Sequence, residues 1–358
     1  MVKAIHVSEL KNHSGEDATV QGFVHTLRVQ SKIIFLILRD VTGIAQTVVE
    51  IKDPEVFEIA KNLSHESVVR ISGLVKDVPQ APGGFEIGVS SIEVLSVANP
   101  ELPIPIIEKG NEETEAPTRF DYRWIDLRKP EKTKIFKVWT ELEKGFRKYW
   151  DENGYTQLYS PSFMSTPSET GAEVFEVNYF DRKAYLAQSP QFYKQMGIAS
   201  GFERVFIAGP VFRAEESFTT RHMTEFTGWD FEIGFIDSHH DVMDQEEGMI
   251  VSGFENLKAK FPELDITVPS IPFPRIKMTE AKEILSKEGI ASSEDHDLSP
   301  EEERAICEYV KKEHNHEFVF ITDYHKSKSA FYHMRLEEGS DRSRRADLLF
   351  RGIEITTL

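Results

Sequence analysis

The sequence predicts an α+β protein in two parts: a five-stranded β-barrel, then an antiparallel sheet with flanking helices. Three observations carry this. Residues 1–100 break into five short runs in which apolar and polar residues alternate. Pro100, Pro103, Pro105 and Pro117, together with the acidic stretch 108–115, mark a linker over 101–118. Beyond it, strand-like runs follow one another directly and long helical patterns come late, which favours an antiparallel sheet over a doubly wound one.

In the first part the strand runs are residues 19–24, 33–38, 45–49, 67–72 and 85–89. Thr42-Gly43 and the segment from Pro79 to Gly84 supply the turn chemistry between them. Residues 54–63 read as one short helix after the third strand. That layout is an OB-fold barrel, a frequent binder of oligonucleotides; an SH3-like barrel fits the strand pattern nearly as well.

In the second part, Ile135, Val138, Trp139, Leu142 and Phe146 recur at helical spacing and predict an amphipathic helix over 131–149, ended at Asn153-Gly154. Strands are expected at 155–159, 174–177, 184–187, 205–212 and 227–235. Helices are expected at 191–199, 241–260, 279–287 and 300–313. No internal repeat is visible.

Composition excludes several classes. With 358 residues, 40% hydrophobic and 28% charged, the chain is an ordinary folded protein of two or three domains, neither disordered nor low-complexity. A lone cysteine, Cys307, can form no internal disulfide and points to a reducing cytoplasm. No apolar run has the length of a signal peptide's core at the N-terminus or of a membrane span anywhere. The net charge of −18 argues against a protein that coats nucleic acid, though not against a local site. P-loop and Rossmann glycine patterns are missing. The pairs His239/His240 and His314/His316 read as surface residues, not ligands.

The stretch from Gly209 to Phe226 is the most informative. An apolar strand runs into Phe212-Arg213-Ala214-Glu215; a polar loop and Arg221-His222 follow, and Phe226 opens a second strand. An arginine at a strand end can hold a phosphate through two parallel hydrogen bonds. A carboxylate two residues on shares its sheet face. The pair suits a nucleotide; by itself it would equally suit a surface ion pair.

This segment resembles motif 2 of the class II aminoacyl-tRNA synthetases, F-R-x-E, loop, (H/R)-x-x-x-F. The helix and strand from Lys134 to Pro161 are similar to motif 1, which in that family builds a homodimer interface. The stretch 347–355 looks like the late strand whose glutamate holds Mg–ATP. Ser168-Glu169-Thr170-Gly171-Ala172-Glu173 and the run from Tyr185 to Gln195 narrow the resemblance to aspartyl-tRNA synthetases of the archaeal and eukaryotic type. The implied organisation is an OB-fold anticodon-binding domain over 1–100, the linker 101–118, and a class II catalytic domain over 119–358.

The resemblance implies a role for each matching residue. Glu169 and Asp230 would hold the substrate α-amino group, Gln191 would orient L-aspartate, and Lys194 would pair with its side-chain carboxylate. A fixed ammonium there rewards a carboxylate over a neutral amide, which speaks against the asparaginyl relatives. For ATP, Arg213 would bind the α-phosphate, Glu215 face the adenine amino group, Arg221 and His222 lie near the outer phosphates, and Phe226 stack on adenine. Glu354 would bind Mg2+. In the barrel, Phe35, Gln46 and Glu86 would read the anticodon of tRNA(Asp), with tRNA(Asn) as a second acceptor left open. From periodicity alone Phe35 could equally face the core.

The chain departs from the family in lacking motif 3, the Gly-rich E-R segment whose arginine clamps the ATP phosphates, and the substrate-facing arginine before it. The catalytic domain is therefore expected to be incomplete at its C-terminus, and the chain alone is expected to show no ATP–pyrophosphate exchange with aspartate. An asparaginyl enzyme, or a non-catalytic tRNA-binding protein on the same scaffold, are the alternative readings.

Overall fold

A computed structural model describes residues 3–108, 113–168, 174–216, 223–292 and 294–358. They gather into two compact units, Met1–Pro130 and Glu131–Leu358.

The first unit is a closed barrel. Its strands β1 (Asp17–Val29), β2 (Ile33–Arg39), β3 (Ile44–Glu50), β4 (Val68–Asp77) and β5 (Phe85–Ser96) pair in the order β1-β2-β3-β5-β4. Helix α1 (Pro54–Lys61) follows β3, as expected of an OB-fold. Alternation decides what is inside. Ile34, Leu36 and Leu38 are fully buried with Val20, Val49, Val69, Ile71 and Ile87, so Phe35 and Ile37 take the outer face. A short helix, α2 (Ala116–Asp121), begins at the end of the segment expected to be a linker, and a second, α3 (Arg123–Asp126), follows it. The chain just after α3 is tied to the barrel by charge. Glu66 accepts two hydrogen bonds from Arg39, at 2.9 and 2.8 Å, and one from Arg128 at 3.1 Å, and Arg128 also lies over the Phe23 ring. The compact unit thus reaches Pro130, past the expected domain start at 119.

The second unit opens with α4 (Pro130–Glu152), then β6 (Thr156–Gln157), β7 (Phe163–Met164), β8 (Glu176–Tyr179), β9 (Arg182–Leu186), α5 (Gln191–Ala199), β10 (Arg204–Phe212) and β11 (Glu225–Ile233). It continues with α6 (His239–Lys260), β12 (Arg275–Lys277), α7 (Met278–Lys287), α8 (Pro300–His314), β13 (Phe318–Thr322), β14 (Ala346–Phe350) and β15 (Ile353–Thr357). Helices α4 and α6 touch backbone to backbone: a Cβ on Gly145 would sit 2.5 Å from the Gly253 Cα.

Two of this unit's three described sheets are mixed, not purely antiparallel as expected. β6 runs parallel to β10, and β12 parallel to β13. Parallel neighbours need a long crossover; here β7–β9 with α5, and α7 with α8, supply them. The remaining pairs, β7–β9, β8–β9, β10–β11, β13–β14 and β14–β15, are antiparallel. β13 escaped the sequence reading because all five of its residues are buried, which leaves no alternation to detect. The expected single strand over 347–355 is a hairpin. Arg351 (φ 49°) and Gly352 (φ 84°) form its two-residue turn, both in the left-handed region that right-twisted hairpins require.

One apolar core lies behind both larger sheets. Phe206, Trp229, Phe231 and Ile233 from β10–β11, and Phe318, Phe320, Leu348 and Phe350 from β13–β14, pack with Met243, Met249 and Ile250 of α6. Neighbouring strand residues point the other way, so Asp230, Glu232, Asp347 and Leu349 emerge on the sheet faces away from α6.

Candidate active site

The residues expected to hold the amino acid come from α5 and β11. Gln191 and Lys194 stand three apart at the start of α5 and share a face. Lys194 is buried, yet its ammonium donates to Asp230 Oδ1 at 2.8 Å and lies 3.8 Å from Glu232 Oε2. Gln191 Nε2 donates to Glu232 Oε2 at 3.4 Å. Asp230 and Glu232, two apart on β11, necessarily face the same way. Burial pushes the Glu232 carboxyl above its usual range; the nearby Lys194 charge and the Gln191 amide oppose the shift. Glu232 was missed from sequence, although the spacing Asp230-Phe231-Glu232 was its signal.

The residues expected to hold the nucleotide lie farther along the same strand. Phe226, Gly228, Asp230 and Glu232 alternate onto one face of β11, with Phe226 and Asp230 roughly 13 Å apart at strand spacing. Gly228 leaves the floor between them open, since a Cβ there would lie 3.0 Å from Asp230 Oδ2. Arg213 follows β10. Its backbone N–H donates to the Thr224 carbonyl at 3.0 Å, and its guanidinium lies 5.4 Å from the Phe226 ring centroid. Glu215 is half-buried two residues on. Glu169, Arg221 and His222 lie outside the described residues.

Glu354 sits on β15 above a second acid. Asp347 is buried and held by Arg345 through two hydrogen bonds, at 3.1 and 2.7 Å. The Thr357 hydroxyl donates to Glu354 Oε1 at 2.8 Å. Solvent reaches Glu354 from one side, yet the protein packed around its carboxyl, and then the Asp347 charge, push its pKa up to about 7. A bulge makes the arrangement: Leu348 pairs with Thr356 and Leu349 with Glu354, leaving Ile355 unpaired between them. Cross-strand partners share a face, so Glu354 lies beside Leu349 and Thr357 beside Asp347, on the same face. Two acids and a hydroxyl so placed fit an oxygen-preferring divalent cation that takes its other ligands from phosphate and water. Among the described residues no group of three or more acidic, histidine or cysteine side chains forms a complete metal cage.

On the barrel, Gln46 and Glu86 are register partners on β3 and β5, and Gln46 Nε2 donates to Glu86 Oε2 at 2.9 Å. Ile37 pairs with Gln46, and Phe35 lies two residues from Ile37 on the same outward face. The three residues expected to read bases therefore share one surface.

A family model described as tRNA synthetases class II (D, K and N) matches residues 115–357, and one for an OB-fold nucleic acid binding domain matches residues 18–95. The chain belongs to the class II aminoacyl-tRNA synthetases. Within that family it is 39% identical to an aspartate–tRNA(Asp/Asn) ligase of Aeropyrum pernix, covering 96% of this chain and 79% of the relative. It is 36% identical to an aspartate–tRNA(Asp) ligase of Thermococcus kodakarensis, covering 100% and 83%. Among solved structures, asparaginyl-tRNA synthetase from Pyrococcus horikoshii with asparaginyl-adenylate superposes with a TM-score of 0.90 at 31% identity, over 99% of this chain and 82% of that one. The aspartyl-tRNA synthetase of Entamoeba histolytica gives 0.87 at 27% identity, over 99% and 78%. The class II scaffold thus serves both amino acids, and the choice must lie in side chains. Among the described residues of this synthetase no helix is long and apolar enough to cross a membrane.

Proposed function

We propose that this synthetase is an aspartate–tRNA ligase. It joins L-aspartate to ATP as aspartyl-adenylate, releasing pyrophosphate, and passes the aspartyl group to tRNA(Asp), with tRNA(Asn) as a second acceptor. The observation that carries the reading is Lys194, an ammonium buried between Asp230 and Glu232. These three side chains sum to one negative charge. A substrate that brings its own α-ammonium to Asp230 completes the balance and frees Lys194 for the side-chain carboxylate. A neutral amide would leave the buried ammonium less well satisfied.

The chemistry is positioning and charge neutralisation. Adenine rests on Phe226 with Glu215 at its edge. Arg213 meets the α-phosphate, and the aspartate α-carboxylate attacks phosphorus in line as the bond to pyrophosphate breaks. Arg213 then stabilises the charge that develops on the phosphoryl oxygens. Arg221 and His222 attend the outer phosphates, and Glu169 the amino group. Mg2+, held by Glu354 with Thr357 and Asp347 around it, supplies charge neutralisation to the phosphates when bound. The terminal ribose hydroxyl of tRNA then attacks the aspartyl carbonyl carbon, and AMP leaves.

The barrel presents Phe35 as a stacking platform and the Gln46–Glu86 pair as base-edge contacts for the anticodon. The outward side of α4 exposes Ile135, Phe136 and Trp139, and this apolar face supports a homodimer. A cytoplasmic location belongs to the same reading. Calorimetric titration with L-aspartate and L-asparagine tests it: aspartate is expected to bind at least about tenfold tighter, in line with a charge-assisted hydrogen bond. Tighter asparagine binding would replace the reading with an asparaginyl one.

A further inference from the structure

The bulge that brings Glu354 and Thr357 together runs against the local sequence pattern. In Ile353-Glu354-Ile355-Thr356-Thr357, regular pairing would continue from Leu349–Glu354 to Leu348–Ile355. Ile353 and Ile355 would then both face the apolar core under α6. A one-residue slip of this kind moves every following side chain to the other face. Thr356 would turn away from α6, and Thr357 would leave the side of Glu354. The folded chain does the opposite. Ile355 remains 44% exposed, and Thr356 takes the core-facing place beside the fully buried Leu348. Something must offset the loss of an apolar residue from that position.

Among the described residues one side chain can do so. Glu246 of α6 is 2% exposed, and its carboxylate accepts a hydrogen bond from the Thr356 hydroxyl. A carboxylate this deep is expensive to bury, and an apolar residue would fill the same space at less cost. Only in the bulged register does the Thr356 hydroxyl reach it. We infer that Glu246 is a positioning residue: by holding Thr356 it fixes the bulged register of β15 and so keeps the Thr357 hydroxyl beside Glu354, where Mg2+–ATP binds. This rests on the reading of Glu354 as the Mg2+–ATP ligand. Glu246 itself touches neither metal nor nucleotide.

Two readouts on the intact chain test the inference. In the first, ATP affinity is measured by calorimetry with Mg2+ and with EDTA, for the parent, Thr356→Val, Glu246→Leu and Glu246→Gln. Residues that orient metal ligands typically cost about 10- to 100-fold when removed. The expected result is a loss of roughly tenfold or more in the Mg2+-dependent gain for Thr356→Val and Glu246→Leu. Affinity in EDTA should stay unchanged, and Glu246→Gln, which keeps an oxygen acceptor, should retain the gain. In the second, amide hydrogen exchange is followed over residues 351–358 and over α6. The expected result is faster exchange in the β15 segment of Thr356→Val with α6 still protected, which also controls for a general folding defect. A folded Thr356→Val with the parent's Mg2+ dependence, or with the parent's β15 protection, overturns the inference. A parent with no Mg2+ dependence would instead sink the reading of Glu354, and the exchange experiment would still decide the anchor.

Discussion

The ammonium of Lys194 donates to the carboxylate of Asp230 across 2.8 Å, and only 7% of the lysine side chain is exposed. Burying a lone ammonium would be costly; two carboxylates, Asp230 and Glu232, offset it. The same two acids leave an excess negative charge that a substrate ammonium can neutralise. An ammonium placed at Asp230 would neutralise that charge and release Lys194 from Asp230, leaving the lysine free to meet a carboxylate.

The barrel's outward face makes the next expectation. Phe35→Ala should weaken binding of a tRNA(Asp) transcript by about 1–3 kcal/mol, the range for losing one stacked base. Amino-acid binding should not change. Filter binding at fixed salt checks this, and unaltered affinity would mean that no base stacks there.

Helix packing in the second unit leaves no room for a methyl group at Gly145. A Cβ would meet the backbone of α6 at Gly253 and the Ser252 carbonyl, 2.5 and 2.6 Å away. Gly145→Ala should destabilise this unit by about 1–3 kcal/mol, read as a melting temperature lower by several degrees. An unchanged melting curve would contradict the close contact of α4 and α6.

Acidity links Glu246 to stability. Burial pushes its carboxyl up to about 7, the charges of Glu247 and Asp347 add to the shift, and the Thr356 hydroxyl opposes it. The folded protein thus keeps a proton that the unfolded chain releases above about pH 4.5. Stability falls as the pH rises from about 4.5 through about 7, then levels off. By linkage the change is about 3 kcal/mol. Glu246→Gln lacks this titration, so its denaturation free energy should fall less than the parent's between pH 5 and pH 8. Equal changes in the two proteins would show that Glu246 ionises normally.

On α4, Ile135, Phe136 and Trp139 are 50%, 40% and 58% exposed on one side of the helix. Sedimentation should show a dimer for the parent and a monomer for Trp139→Glu, because a charge at an apolar interface costs several kcal/mol. A monomeric parent would remove the homodimer from the account.

Much of this was legible in the sequence, for physical reasons. Alternation revealed the barrel strands, helical spacing revealed α4, and the polar punctuation around Arg213 and Glu215 stood out against an apolar strand. Besides the fully buried β13, three things were not legible. Phe35 sits in the run Ile33–Leu38, apolar on both faces, so only the pairing with β3 turns it outward. The hairpin at Arg351-Gly352 was hidden because apolar residues continue on either side of a turn just two residues long. Thr357 joins Glu354 only through a bulge, and a bulge is set by a tertiary contact 110 residues away in the chain, not by local preference.

The central claim is that Lys194 selects a carboxylate. The most direct measurement compares two non-hydrolysable sulfamoyl adenylate analogues, aspartyl and asparaginyl, for the parent and for Lys194→Met. The parent should favour the aspartyl analogue by about 1.5–3 kcal/mol, the range for a hydrogen bond to a charged group, and Lys194→Met should abolish that preference. A parent that binds both analogues equally, or a Lys194→Met variant that keeps the preference, would contradict the account.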